Sequence, residues 1–186
     1  MSLANRADAA GATSVRIRSF DVADTEPVVA LWRAAGLLVP WNDPYRDIER
    51  KLTVQPELFL VAVADAGDDE AVVGTAMVGY EGHRGWLNYL AVDAAHRGGG
   101  LGARLMAEAE RLLLERGCPK LNLQVRSTNT AVIDWYRRLG YELDGAVGLG
   151  KRLIPDGPRP DRNEPLGGLG SVADAAAARP AGDAAE

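Results

Sequence analysis

The chain has 186 residues, 47% hydrophobic and 25% charged, with a formal net charge of −5, enough for one domain with a real core plus unstructured ends. No run reaches the roughly 18 to 20 consecutive apolar residues of a membrane span, and the acidic balance excludes the positive excess of a broad nucleic-acid-binding surface. A single cysteine, Cys118, cannot close an internal disulfide, and with only two histidines it leaves no metal cluster to expect, which fits a reducing, cytoplasmic setting.

Residues 1–13 are rich in Ala, Asp and Gly, lack the apolar stretch of a secretory signal, and read as a disordered tail. Val15, Ile17 and Phe20 then open a domain with a strand of period two. Asp24 caps a helix whose Val28, Leu31, Trp32 and Ala35 share a face, with Gly36 as its stop. Asp43 at the cap and Pro44 in the first turn start a second helix, which runs to about residue 52. Residues 58–64 and 71–80 read as an antiparallel hairpin about a polar turn. A second turn at 82–85 leads into a strand over 86–92.

Past a glycine cluster, a helix over about 101–116 carries Leu101, Leu105 and Leu112 on its apolar face, and Gly117 and Pro119 end it. Leu121, Leu123 and Val125 alternate as a strand, and 130–139 is helical up to Gly140. Residues 141–143 and 147–154 read as closing strands. The order is β-α-α-β-β-β-α-β-α-β-β: early antiparallel strands, then a parallel β-α-β, in an α/β mixed sheet over 14–155. Residues 156–186 hold few large apolar groups and six acids against three arginines, so they read as a second disordered tail without chemistry of its own.

The chemistry concentrates where the strand Leu90-Ala91-Val92 runs through Asp93 into His96-Arg97-Gly98-Gly99-Gly100-Leu101-Gly102-Ala103-Arg104. Glycines let backbone N–H groups approach an anion, the helix start adds partial positive charge, and Arg97 and Arg104 flank the loop. The pattern predicts a pyrophosphate site. A Walker loop would end in Gly-Lys-Ser/Thr, which is absent. The dinucleotide pattern is formally met by Gly98, Gly100 and Ala103, but the next strand ends Gln124-Val125-Arg126 with no acid for a ribose hydroxyl. Arg126 would suit a 2′-phosphate, so an NADP reductase stays open as a minor alternative.

Arg97-Gly98-Gly99-Gly100-Leu101-Gly102 matches the R/Q-x-x-G-x-G/A signature of the GNAT N-acetyltransferase superfamily. Asn129, Ala131 and the run Trp135-Tyr136-Arg137-Arg138-Leu139-Gly140-Tyr141 resemble that family's second motif, and the likeness covers residues 15–154. Val39-Pro40-Trp41-Asn42-Asp43-Pro44, Asp47-Ile48-Glu49-Arg50-Lys51, Gly82-His83-Arg84-Gly85 and the run from Gly148 to Ile154 resemble the YpeA-type bacterial acetyltransferases.

The resemblance implies acetyl-CoA as cosubstrate, lying where the fourth and fifth strands splay. Backbone groups of Leu90, Ala91 and Val92 would hold pantetheine, and amides of Gly98, Gly99, Gly100, Leu101, Gly102 and Ala103 the pyrophosphate. Arg97 and Arg104 would assist, with Asn129 on the opposite arm and Tyr136 as general acid to the departing thiolate. Related N-terminal acetyltransferases carry a glutamate where Gln124 stands, and glutamine cannot take the amine's proton. Glu81 is the expected base instead, with His83 second, and Trp41 and Asn42 form a wall of the acceptor site. The implied reaction is direct attack by an amine, on a small molecule or on a protein lysine or N-terminus. A non-catalytic acyl-CoA sensor or interaction module is the rival reading. The family often pairs through its last strands, which leaves a homodimer open.

Overall fold

Why residues 59–64 show no alternation is explained by their place: they lie in a strand buried on both faces. In the computed structural model, which describes residues 14–67, 69–154, 156 and 157, five strands form one sheet in the order β1 to β5. These are β1 (Val15–Ser19), β2 (Phe59–Ala66), β3 (Asp69–Tyr80), β4 (Gly85–Val92) and β5 (Leu121–Leu123). The first four pair antiparallel, and β5 joins β4 in parallel. Phe59, Val61 and Val63 of β2 face the layer made by α1 (Thr25–Ala34) and α2 (Pro44–Leu52), with Trp32 and Ile48 at its centre. Leu60, Ala62 and Ala64 face the layer made by α3 (Leu101–Leu114) and α4 (Thr130–Arg138), against Leu105, Met106 and Leu113.

The helix starts follow from local chemistry, with one difference. Asp43 caps α2 as its sequence predicts, its side chain accepting from the Tyr45 amide at 3.0 Å beside Pro44. Asp24 precedes α1 but gives it no side-chain cap. Its buried carboxylate instead takes two hydrogen bonds from Arg18, at 2.6 and 2.9 Å, and one from the Asp21 amide. A buried charge needs a partner more than a helix end needs a cap, and the guanidinium of β1 supplies it.

Two expected strands do not form. Residues 141–154 run as irregular chain, leaving Leu143, Val147, Leu149 and Leu153 between 77% and 96% exposed. Their alternation is real, but period two only records apolar spacing, and no neighbouring strand pairs with them here. The segment is held by side chains: Lys120 to Asp144, Arg152 Nη1 to the Trp41 carbonyl at 3.0 Å, and Arg50 to Asp156 by two bonds of 2.8 Å. Asp156, assigned from sequence to the tail, is thus tied back onto α2; the tail from residue 158 onward lies outside the residues described.

The site is positioned by an irregularity between β3 and β4. Thr75 pairs with Ala91 and Met77 with Asn88, so Tyr89 and Leu90 together oppose Ala76. That is a β-bulge, and Tyr89 takes a left-handed φ of 50° there, a conformation that costs a non-glycine residue of order 1–3 kcal/mol. A buried hydrogen-bond chain compensates: Trp32 Nε1 donates to Thr75 Oγ1 at 2.9 Å, and Thr75 Oγ1 donates to the Tyr89 carbonyl at 2.8 Å. The Trp32 and Tyr89 rings stack at 3.9 Å. Thr75→Val strips both partners at once and is expected to destabilise the protein by about 2–4 kcal/mol, read as a lower urea midpoint with an unchanged slope.

Candidate active site

A gap opens where β4 and β5 stop pairing. Their ladder holds only at Gly85 with Leu121, Trp86 with Asn122 and Leu87 with Leu123. Beyond it the β5-facing edge of β4, from Asn88 through Leu90, Ala91 and Val92, is left without a strand partner, while its other edge stays on β3 through Ala91 and Val92. The unpaired strand edge leads straight to the glycine loop.

In that loop Gly98 and Gly100 have φ of 82° and 81°, and a Cβ at Gly98, Gly99 or Gly100 would meet only open space. The left-handed conformation therefore demands glycine, while packing does not. Gly100 starts α3 with no side-chain cap, so the first-turn amides of Leu101, Gly102 and Ala103 have no partner inside the helix. Those donors and the helix dipole form a seat for an anion. Leu101 is buried and anchors the seat to the core. Gly102 has a different reason: a Cβ there would come within 3.1 Å of the Trp135 ring. Its absence lets Trp135 of α4 pack on α3; Tyr136 follows on that helix, whose start at Asn129 carries no side-chain cap.

Arg97 donates from Nε to the Val92 carbonyl at 2.9 Å, while Arg104 donates from Nη2 to the Val15 carbonyl at 2.7 Å, tying α3 to β1. The Tyr136 ring is buried edge-on against Trp135 and Tyr141. Burial pushes its phenol up to about 12, so it stays protonated and able to donate.

On the opposite side of β4 lies a pocket of about 650 Å³. Trp41 and Asn42 line it. Glu81 and His83 do not. Both sit in the exposed turn between β3 and β4, where the Glu81 carboxylate accepts from the amides of His83 and Arg84 at 2.8 Å each. Unanticipated from sequence are Asp47, Arg50, Lys51, Tyr89 and Arg126 in the lining. Asp47 accepts from the Tyr89 hydroxyl at 2.6 Å. Burial pushes the Asp47 carboxyl above its ordinary value against that bond. Burial, then the bond to Asp47, pushes the Tyr89 phenol up as well. Among the described residues no group of three His, Cys, Asp or Glu is placed to hold a metal ion, and no helix is long and apolar enough to cross a membrane.

A splayed parallel strand pair beside an uncapped, glycine-led helix is the arrangement of acetyl-group transferases of the GNAT fold, and the comparisons agree. Residues 25–141 match the acetyltransferase (GNAT) family, and the chain belongs to it. It is 50% identical to Acetyltransferase YE1169 of Yersinia enterocolitica over 142 residues, 76% of this chain and 98% of that one. Acetyltransferase SG1711 of Sodalis glossinidius is 51% identical over 143 residues, again 76% and 98% of the two chains. Among solved structures, AAC(6')-Iy in complex with a CoA-S-monomethyl-acetylneamine bisubstrate analog superposes with a TM-score of 0.60. It is 19% identical, covering 76% of this chain and all of that one; at that identity it shares the fold.

Lys51 provides a check on the pocket's electrostatics. It donates to the Val54 carbonyl at 2.9 Å, and burial pulls its ammonium down to about 8. The folded protein then releases this proton before the unfolded chain does, so stability rises with pH above about 8. Lys51→Met should flatten the rise in urea midpoint between about pH 7.5 and pH 9.5 that the parent protein shows.

Proposed function

We propose that the protein transfers the acetyl group of acetyl-CoA to a primary amine by direct attack, with both substrates bound together. The observation that carries this reading is the continuous path from the unpaired β4 edge to the uncapped start of α3. Pantetheine has the amide groups to hydrogen-bond along Leu90, Ala91 and Val92. The pyrophosphate suits the amides from Gly98 to Ala103, with Arg97 and Arg104 alongside and Asn129 facing them. The donors present are the kind this ligand needs, and the glycine positions leave room for it.

In the reaction the neutral amine adds to the thioester carbonyl, and backbone N–H groups of β4 stabilise the oxyanion that forms. As the C–S bond breaks, the sulfur takes the pair and the Tyr136 hydroxyl gives it a proton. The amide nitrogen then loses its extra proton, which restores the phenol. Cys118 takes no part as an acyl carrier: it is buried past the far end of α3, a helix of about 21 Å from the glycine loop to its last residue. A non-catalytic acyl-CoA sensor would share the binding half of this reading and lack the turnover. The acceptor, a small-molecule amine or a protein lysine or N-terminus, enters through the pocket of Trp41 and Asn42.

The test has two parts. In a thermal-unfolding titration with acetyl-CoA, CoA and NADP, the two CoA ligands are expected to stabilise, by about 2.7 kcal/mol at 100 times the dissociation constant. A response to NADP alone would refute the assignment. With any amine that is turned over, Tyr136→Phe is expected to lower kcat by about 10²-fold while leaving CoA stabilisation intact; a sensor would turn over none.

A further inference from the structure

We propose that Asp47 receives the acceptor, binding its ammonium group and taking the proton that must leave before the nitrogen can attack; this rests on the acetyl-transfer reading above. Asp47 stands in the first turn of α2 and lines the pocket with its side chain 19% exposed. One oxygen, Oδ2, is engaged by the Tyr89 hydroxyl. Among the described residues the other, Oδ1, has only Arg50 Nη1 at 3.4 Å, too long for a strong bond. Arg50 is committed elsewhere, to the two oxygens of Asp156 at 2.8 Å each.

The charges acting on Asp47 are Asp43 and Arg50 from α2 and Asp156 from the C-terminal segment, beside the uncharged Tyr89 from β4. Lys51 and Arg126 also line the pocket, but Lys51 donates to the Val54 carbonyl, and Arg46 stands 3.8 Å from Asp43. Among the described residues Oδ1 of this half-buried carboxylate is thus left without a close cationic partner, Arg50 standing 3.4 Å away and bonded to Asp156. A cationic ligand at Oδ1 completes it. Around it Leu37, Val39, Trp41 and Met77 supply apolar wall. The site fits a primary ammonium carried on an aliphatic stem.

Tyr89 links this site to the other. Its ring is clamped on Trp32 and its hydroxyl holds Asp47, while its backbone continues directly into Leu90, where the proposed pantetheine edge begins. The step balances simply. An N–H bond of the ammonium breaks, its proton passes to Asp47 Oδ1, and the electron pair stays on nitrogen to attack the thioester. Asp47 then returns the proton to solvent through the open pocket.

The experiment uses the full chain with saturating CoA and adds butylamine, 1,5-diaminopentane or lysine amide, with 1-pentanol as the uncharged control. The amines, and not the alcohol, are expected to add further thermal stabilisation. Asp47→Asn should abolish that increment while keeping the CoA shift, which also shows that the variant is folded. With an amine that turns over, Asp47→Asn should raise KM at least tenfold and remove the acid limb of kcat/KM against pH, and Asp47→Glu should restore part of both. An Asn variant that keeps the amine increment or the pH profile overturns the proposal, as does a parent protein that answers CoA but none of the amines. Absence of any CoA response would instead sink the acetyl-transfer reading beneath it.

Discussion

The hydrogen-bond chain from the Trp32 indole through the Thr75 hydroxyl to the Tyr89 carbonyl is the constraint on which the rest of this structure turns. Thr75 is fully buried, and its single hydroxyl serves one helix and one strand at once. Without that bridge the bulge would leave a buried carbonyl and a buried indole N–H unpaired, each a cost of about 1–3 kcal/mol. With it, β4 holds an irregular backbone in the middle of the sheet. The same strand can therefore leave β5 after Leu87, keep β3 through Ala91 and Val92, and turn Tyr89 toward α2.

Two environments of different electrical character result, one on each side of β4. At the start of α3 the donors are backbone amides, rigid and without charge, suited to a ligand whose negative charge is fixed. In the pocket the groups are side chains whose charge is conditional: Lys51 is pulled down to about 8, while Asp47 is pushed up, both by burial. An amide-led helix start past the end of β4 and a pocket of titratable side chains beside it are thus separate environments served by one strand.

How far the sequence revealed this depended on how local each cause is. The glycine loop was legible because left-handed φ at Gly98 and Gly100 and the start of α3 are set by neighbouring residues. Tyr136 is singled out through the resemblance, and the structure buries its ring against Trp135 and Tyr141. Asp47 was not, because an acid in the first turn of a helix looks the same whether it faces water or Tyr89, 42 residues away. Glu81 looked like a base at the end of a strand, yet its carboxylate serves two turn amides next to it. The closing strands failed for the complementary reason: alternation in 147–154 is local, whereas a partner for it is not. The pairing of Asp156 with Arg50, across 106 residues, has no sequence signal.

Tyr89 places two demands on one residue that no single amino acid meets. Its backbone conformation is one in which glycine is at ease, and its side chain must carry a ring to Trp32 and a hydroxyl to Asp47. Glycine there would relieve the backbone and empty the pocket's back wall. Phenylalanine would keep the wall and silence the hydroxyl. The strained backbone is thus retained with the ring stacked on Trp32 and the hydroxyl on Asp47, contacts that offset its cost and that glycine could not make.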